Sequence, residues 1–391
     1  MNQNLKARLG RIRISDTRLS DRNSVRNSDR DSGRTGRSCA ISDDFNAACW
    51  SGWTEAGYMT LKRKISRELS FRFPQNFPKA LFILIPDIYR FGRIPSSDEM
   101  LFFDLETTGL SGGAGTVAFL AAFGRFVIPA KIEITQYLLL DYPGEADFIE
   151  NLVKEFTASA QPKIVAPPLV LSYNGKSFDS QILKNRCLMN GIMPPVYFHA
   201  DLLHPARRLW KQQLPDCSQA TIEVSVLGLD RTGDVSGALA PEIWFSFLRS
   251  GDNHELLSVC DHNTRDIVGL ASLFLALGEI AEKPLESRNR FKFDLDALAL
   301  SWTDAHKRRP FCFDDNEREK GELLLKTAAS AGCPRASVVM AKKAEWRLKD
   351  PALALAYTNS ALAFPGLSEG LRNELEKRRG RLKEKIREYL S

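Results

Sequence analysis

The chain reads as an α/β protein: a mixed five-stranded sheet flanked by helices, followed by an all-α C-terminal region. Three observations predict this. Strand-like runs follow one another at Leu101–Glu106, Val117–Val127 and Ile132–Leu140, with short polar or glycine-bearing links suited to antiparallel neighbours. From Glu145 the apolar period changes, and helix, strand, helix, strand and helix alternate as far as Ala281. Beyond residue 316, alanines recur at helical spacing between Pro- and Gly-containing breaks.

In chain order, residues 1–45 are rich in Arg, Ser, Asp and Asn and poor in aromatics, too polar to offset the entropy of ordering, and are expected to be a disordered tail. Asp16, Asp21, Asp29 and Asp31 interrupt its arginines and argue against both a nucleic-acid arm and an organelle transit peptide. Residues 46–98 mix a basic segment (Lys62, Arg63, Lys64, Arg67) with prolines at 74, 78, 86 and 95, and are expected to be a lead-in packed on the next domain.

Residues 99–282 form the expected α/β domain. Glu145–Ala158 places Phe148, Ile149, Leu152, Val153 and Phe156 on one helical side, and Leu169–Tyr173 is a wholly apolar strand. Phe178–Asn190 reads as helix, Val196–Leu202 as strand and His254–Ala281 as one long helix. Right-handed crossovers bring the two later strands into the sheet in parallel. Residues 283–315 are a polar connector with Lys and Arg. In 316–391, Ala328, Ala329, Ala341, Ala344, Ala352, Ala354, Ala356, Ala361 and Ala363 let short helices pack closely, either as antiparallel pairs of about 34-residue period or as a plain bundle. The last helix, Glu369–Tyr389, carries alternating charges on a solvated face.

Composition narrows the function classes. The 391 residues suffice for two or three domains, and a net charge of +6 permits a polyanionic partner without demanding one. Seven cysteines are scattered without a C-x-x-C pair, which argues for a reducing, cytoplasmic setting and against a zinc knuckle or disulfide framework. No apolar run approaches membrane-spanning length, since Ala80–Ile85 is cut by Pro86 and Asp87, and no secretory signal is present.

The chemistry lies in the acids. In a strand, Asp104 and Glu106 share a face, so the pair is either a wet strand end or one side of a cation site. The second reading requires further carboxylates. Asp179 enters a helix just after the Leu169–Tyr173 strand, where ligands of α/β sheets converge. His262 and Asp266, four apart in the long helix, share a face, while Asp261 and Arg265 form a separate i,i+4 surface pair. Four converging carboxylates repel one another unless divalent cations lie between them. Hard oxygen ligands suit Mg²⁺ or Mn²⁺, and two such ions clamp the attacking and leaving oxygens of a phosphodiester displacement. His262 is then the candidate acceptor of a proton from water.

These segments resemble the exonuclease motifs of the DEDD superfamily, which has the ribonuclease H-like fold. The first of them is Asp104-Leu105-Glu106-Thr107-Thr108-Gly109-Leu110, and Ser111-Gly112-Gly113-Ala114-Gly115-Thr116, Tyr173-Asn174-Gly175-Lys176-Ser177-Phe178-Asp179, Asp201 to Trp210 and His262-Asn263-x-x-Asp266 are similar to the bacterial YprB-type domain in particular, over roughly residues 100–280. The resemblance implies a metal-dependent 3′-5′ exonuclease. Its metal ligands are Asp104, Glu106, Asp179 and Asp266, with two Mg²⁺ or Mn²⁺ ions, and its base is His262. Thr107, Gly109, Leu110, Asn174, Lys176 and Arg207 contact the nucleic acid, DNA or RNA, and a tetratricopeptide-like C-terminal region offers a site for a protein partner. One departure stands out. In the histidine branch the base lies five positions before the last Asp, whereas His262 precedes Asp266 by four, the spacing of the tyrosine branch.

Gly175-Lys176-Ser177 imitates the end of a phosphate-binding loop, but Val170 stands where the earlier glycine is required. Lys176 meets a substrate phosphate or is a solvated turn residue. Ser111–Gly115 reads as a hairpin turn. Asp201 is a further candidate carboxylate, and His204, Arg207, Arg208 and Lys211 follow it on a basic helix. Two other functions compete: a non-catalytic nucleic-acid or protein-binding module with a vestigial acidic site, and a structure-selective endonuclease on the same fold.

Overall fold

The computed structural model describes residues 50–71, 73–74, 77–109, 113, 115–127, 129–157, 167–308 and 314–390. The expectations for residues 1–45 and for Leu110 lie outside them. The strands are β1 (Thr54–Gly57), β2 (Thr60–Glu68), β3 (Met100–Thr107), β4 (Ala118–Val127), β5 (Lys131–Leu139), β6 (Leu169–Ser172) and β7 (Phe198–Asp201). The longer helices are α1 (Glu145–Thr157), α2 (Asp179–Met189), α3 (Leu203–Trp210), α4 (Ala240–Ser250), α5 (His254–Glu282), α6 (Leu295–Arg308), α7 (Asp315–Ser330), α8 (Pro334–Lys343), α9 (Pro351–Leu362) and α10 (Glu369–Leu390).

Among the described residues the sheet has seven strands rather than five, in the order β1-β2-β5-β4-β3-β6-β7. The five expected strands are all present, β3, β4 and β5 antiparallel, with β6 and β7 joining in parallel. The two additional strands come from the segment expected only to pack as a lead-in. β2 pairs with β5 from Thr60↔Leu139 to Glu68↔Lys131. Its basic side chains are neutralised across the fold: Lys62 meets Glu155 at 3.4 Å, Arg63 meets Asp261 at 3.0 Å and Lys64 meets Glu133 at 2.9 Å. Asp261 therefore pairs with Arg63 and not, as expected, with Arg265.

Strand alternation divides the core. Leu101, Phe103 and Leu105 of β3 pack with Ile149 and Leu152 of α1 and Ile182 of α2. Phe102 points to the other face, against Ile267, Leu270 and Phe274 of α5. Asp104 and Glu106 continue the Phe102 row, so they emerge on the α5 side of the sheet. This single geometric fact positions the acidic site.

The expected connector also differs. Within 283–315, residues 295–308 are α6, because Leu295, Leu298, Ala299 and Trp302 follow i, i+3, i+4, i+7 spacing and are buried in the α5-side core. The remainder of the C-terminal region is helical. Ala328, Ala329, Ala336, Ala341, Ala344, Ala354 and Ala361 are buried between successive helices, where a small side chain permits close approach. No helix among the described residues is long and apolar enough to cross a membrane.

Candidate metal centre and active site

Three segments meet at the end of β3. Asp104 and Glu106 face Ala122 and Leu120 of β4 across the ladder, and the register shifts between Glu106 and Thr107. Thr107 donates its hydroxyl to the Gly109 carbonyl at 2.8 Å, closing the turn that follows. Glu106 is 8% exposed and Asp179 5%, so these acids are largely shielded from water.

Asp179 is placed by the β6–α2 loop. Asn174 takes the left-handed conformation at φ +63°, which asparagine tolerates better than most residues. At Gly175 a Cβ would lie 2.5 Å from Ser172 Oγ and 2.8 Å from Asp179 Oδ2, so only glycine lets the backbone pass the carboxylate. Asp201, a candidate for an extra metal ligand or a carboxylate supporting the site, takes a supporting place. Its Oδ1 accepts from the Asn174 and Leu203 amides at 2.9 and 3.0 Å, and its Oδ2 from the Lys176 amide at 3.2 Å. It pins the loop and is 2% exposed. Lys176, half-buried in the turn, pairs with Asp87, its Nζ 2.6 Å from Asp87 Oδ2. Arg207, on α3, is exposed.

Helix α5 supplies the third side. His262 Nε2 is 3.3 Å from Asp266 Oδ2 and 3.9 Å from Glu106 Oε1. Among the described residues, ligand atoms of Glu106, His262 and Asp266 lie within 4.8 Å of one another, close enough for one cation. Burial pushes the Asp104 carboxyl well up, and Asp266, Asp179 and Glu106 add repulsion. Glu106 is raised in the same direction, by burial and then by Asp266 and Asp179. Burial also pushes Asp179 up to about 8, with Asp201 and Asp266 adding to it. Burial and mutual repulsion that raise several carboxyls together mark a site whose charge a cation would balance. The donors are hard oxygens with one imidazole beside them, and this set fits Mg²⁺ or Mn²⁺.

Several polar partners of the site were assigned no role from the sequence. Asn263, fully buried, donates from Nδ2 to Asp104 Oδ2 at 2.7 Å and accepts from Gln136 Nε2 at 2.8 Å. Gln136 in turn accepts from Arg63 Nε at 2.6 Å. Asn263 was traceable as the one amide between Val259 and Ile267 on the apolar stripe of α5. On the other side, Arg231 donates from Nε to Glu223 Oε2 at 2.5 Å, from Nη1 to Asp234 Oδ2 at 2.6 Å, and from Nη2 to Asp266 Oδ1. A Cβ at Gly269 would overlap the Glu223 carboxylate, so glycine on α5 makes room for this ion pair. Arg231 and Asp234 lie in the loop between Gly228 and Leu239, where periodicity carries no information.

A mixed sheet with acids on its central strand, completed by carboxylates from two flanking helices, defines a ribonuclease H-like protein. Residues 101–277 match the family described as the RNase_H superfamily. The chain is similar to the uncharacterized protein YprB of Bacillus subtilis (strain 168), with 31% identity over 259 residues, 65% of this chain and 59% of that protein. The chain thus spans 59% of that relative's length. Among solved structures, the family B DNA polymerase of the archaeon Pyrobaculum calidifontis aligns at 13% identity and a TM-score of 0.33, over 64% of this chain and 34% of its own. E. coli exonuclease I in complex with a dT13 oligonucleotide aligns at 19% identity and a TM-score of 0.26, over 41% and 42%.

Proposed function

We infer that the protein is a metal-dependent nuclease that hydrolyses phosphodiester bonds, acting as a 3′-5′ exonuclease by a two-metal mechanism. One observation carries the reading: Asp104, Glu106, Asp179 and Asp266 share one electrostatic site, with the imidazole of His262 facing two of them. The match of residues 101–277 to the RNase_H superfamily supports the nuclease class.

In this mechanism Asp104, Glu106, Asp179 and Asp266 hold two Mg²⁺ or Mn²⁺ ions. When bound, these ions supply positive charge against the charge that develops on the phosphoryl oxygens. His262 Nε2 takes one proton from a water molecule as the water oxygen bonds to phosphorus. The bond from phosphorus to the 3′ oxygen of the shortened strand breaks, and that oxygen takes a proton from solvent. His262 then releases its proton to solvent. We assign the path of the strand to Thr107 at the end of β3, Gly109 after it, Asn174 and Lys176 in the β6–α2 loop, and Arg207 on α3, with Arg207, and Lys176 once it exchanges Asp87 for substrate, meeting the phosphates. We assign residues 99–282 with the β1–β2 hairpin to catalysis, and the helices from 316 to a tetratricopeptide-like surface for a protein partner.

The test uses 5′-end-labelled single-stranded and duplex DNA and RNA with Mg²⁺, Mn²⁺ or EDTA. Metal-dependent ladders shortening from the 3′ end are expected. Internal cuts would identify an endonuclease, and no cleavage of any substrate would leave a binding module.

A further inference from the structure

His262 has a second partner that the nuclease reading does not use. Its Nε2 faces Asp266 and Glu106, while its Nδ1 lies 3.0 Å from Asp234 Oδ2. Asp234 comes from the loop between Gly228 and Leu239, more than a turn of chain away from any metal ligand in sequence. Its side chain is 8% exposed. Both of its oxygens are held. Oδ2 accepts from Arg231 Nη1 at 2.6 Å, and Oδ1 accepts from Arg265 Nη1 at 2.7 Å and from the Val235 amide at 3.1 Å. Burial pushes the Asp234 carboxyl up, but the bonds from Arg231 and His262 outweigh burial and hold it below the usual range.

A carboxylate fixed at both oxygens accepts a hydrogen bond; it does not donate one. Its contact with Nδ1 therefore requires the proton to sit on Nδ1, which leaves the Nε2 lone pair free on the side of Glu106 and Asp266. Arg231 Nη1 is also 3.4 Å from Nδ1, but its shorter bond goes to the same Asp234 oxygen, so the guanidinium and the imidazole converge on one acceptor. Gly237 of the same loop passes the other end of the ring, where an added Cβ would lie 3.2 Å from Nε2, so glycine keeps that nitrogen uncrowded. The loop thus orients the imidazole through Nδ1 alone.

We propose that Asp234 is a positioning residue that fixes the tautomer and ring orientation of His262, with Arg231 and Arg265 clamping Asp234 in turn. The proposal rests on the nuclease reading for its kinetic consequence and on the hydrogen-bond geometry for its structural one. Carboxylate partners of metal-bound histidines typically contribute about 10–100-fold to metal affinity or activity, and a loss of that order is expected for the partner of a histidine base. They act on the proton-transfer step and leave substrate affinity alone.

The test has two independent arms. In ¹⁵N-histidine-labelled full-length protein, with His262 assigned from the spectrum of His262→Gln, long-range ¹H–¹⁵N correlations are expected to show neutral His262 protonated on Nδ1, and Asp234→Ala to shift it toward the Nε2-protonated form. This arm needs no catalysis, so it stands if the nuclease reading fails. In the second arm, on an oligonucleotide that the wild type degrades with Mn²⁺, Asp234→Ala is expected to lower kcat about 10–100-fold with KM unchanged. In the His262→Ala background the same change is expected to have no further effect. Arg231 keeps Glu223 and Asp266 in Asp234→Ala, which preserves an anchor for the loop, and isosteric Asp234→Asn repeats the kinetic cycle if the alanine variant fails to fold. An Nε2-protonated His262 in the wild type, or losses that simply multiply in the double variant, would overturn the proposal.

Discussion

Asn263 reaches from a wholly buried position on α5 to donate a 2.7 Å hydrogen bond to Asp104 Oδ2, joining the long helix to the acidic strand. The bond favours the charged carboxylate, against burial and against three neighbouring acids. Asn263→Leu is expected to leave Asp104 without this donor and Gln136 without one acceptor. Stability should fall by about 1–3 kcal/mol, and Mn²⁺ affinity by about 10–100-fold. Thermal melting with and without Mn²⁺ measures both effects.

The raised carboxyls make the cation-free protein sensitive to base. Asp179 titrates near 8 when folded, against about 3.9 when unfolded, so between these values the folded state binds the extra proton. The stability this gives is complete below about pH 4 and is lost as pH rises through about 8. In EDTA, the wild type is expected to lose stability relative to Asp179→Asn across that window, and Mg²⁺ or Mn²⁺ is expected to restore it. Parallel denaturant midpoints for the two proteins from pH 4 to 8 would contradict this.

Gly175 has no room for a side chain beside Ser172 and Asp179. Gly175→Ala is expected to displace the Asp179 carboxylate or the loop, with a loss of about 1–3 kcal/mol of stability. Metal affinity should fall alongside it. Calorimetric Mn²⁺ titration beside a melting curve separates the two effects, and a variant with wild-type values in both would show that the loop yields freely.

Residues 54–68 belong to the sheet, so a fragment starting at residue 99, where the sequence places the domain boundary, is expected to fail. It exposes the full β5 edge that β2 covers over nine paired positions. A fragment starting at residue 50 is expected to be soluble and to melt cooperatively. Size-exclusion chromatography and circular dichroism of the two fragments compare them directly.

These outcomes follow from where the sequence was legible and where it was not. β3 to β7 and α5 were readable because their apolar periods are unbroken, and the four acids stood at strand ends or helix turns where their convergence could be reasoned. β2 was hidden because Lys62, Arg63 and Lys64 look solvated, and only residues distant in the chain reveal their partners: Glu155, Asp261 and Glu133. α6 carried a legible stripe in Leu295, Leu298, Ala299 and Trp302, masked by the charges around it. Asp201 looked like a ligand, since a carboxylate after a strand has the same appearance whether it binds a cation or backbone amides. Arg231 and Asp234 sit in a loop, and contacts made by loops leave no periodic trace.

The central claim is that Asp104, Glu106, Asp179 and Asp266 act as one cation site. Its most direct test is Mn²⁺ binding, measured by calorimetry and by the electron paramagnetic resonance of free ion, to the wild type, Asp104→Asn and Asp179→Asn. The account predicts two ions per chain for the wild type, with binding lost or weakened by at least about tenfold in each variant while the fold persists. Binding that is absent in the wild type, or unchanged in both variants, would contradict it.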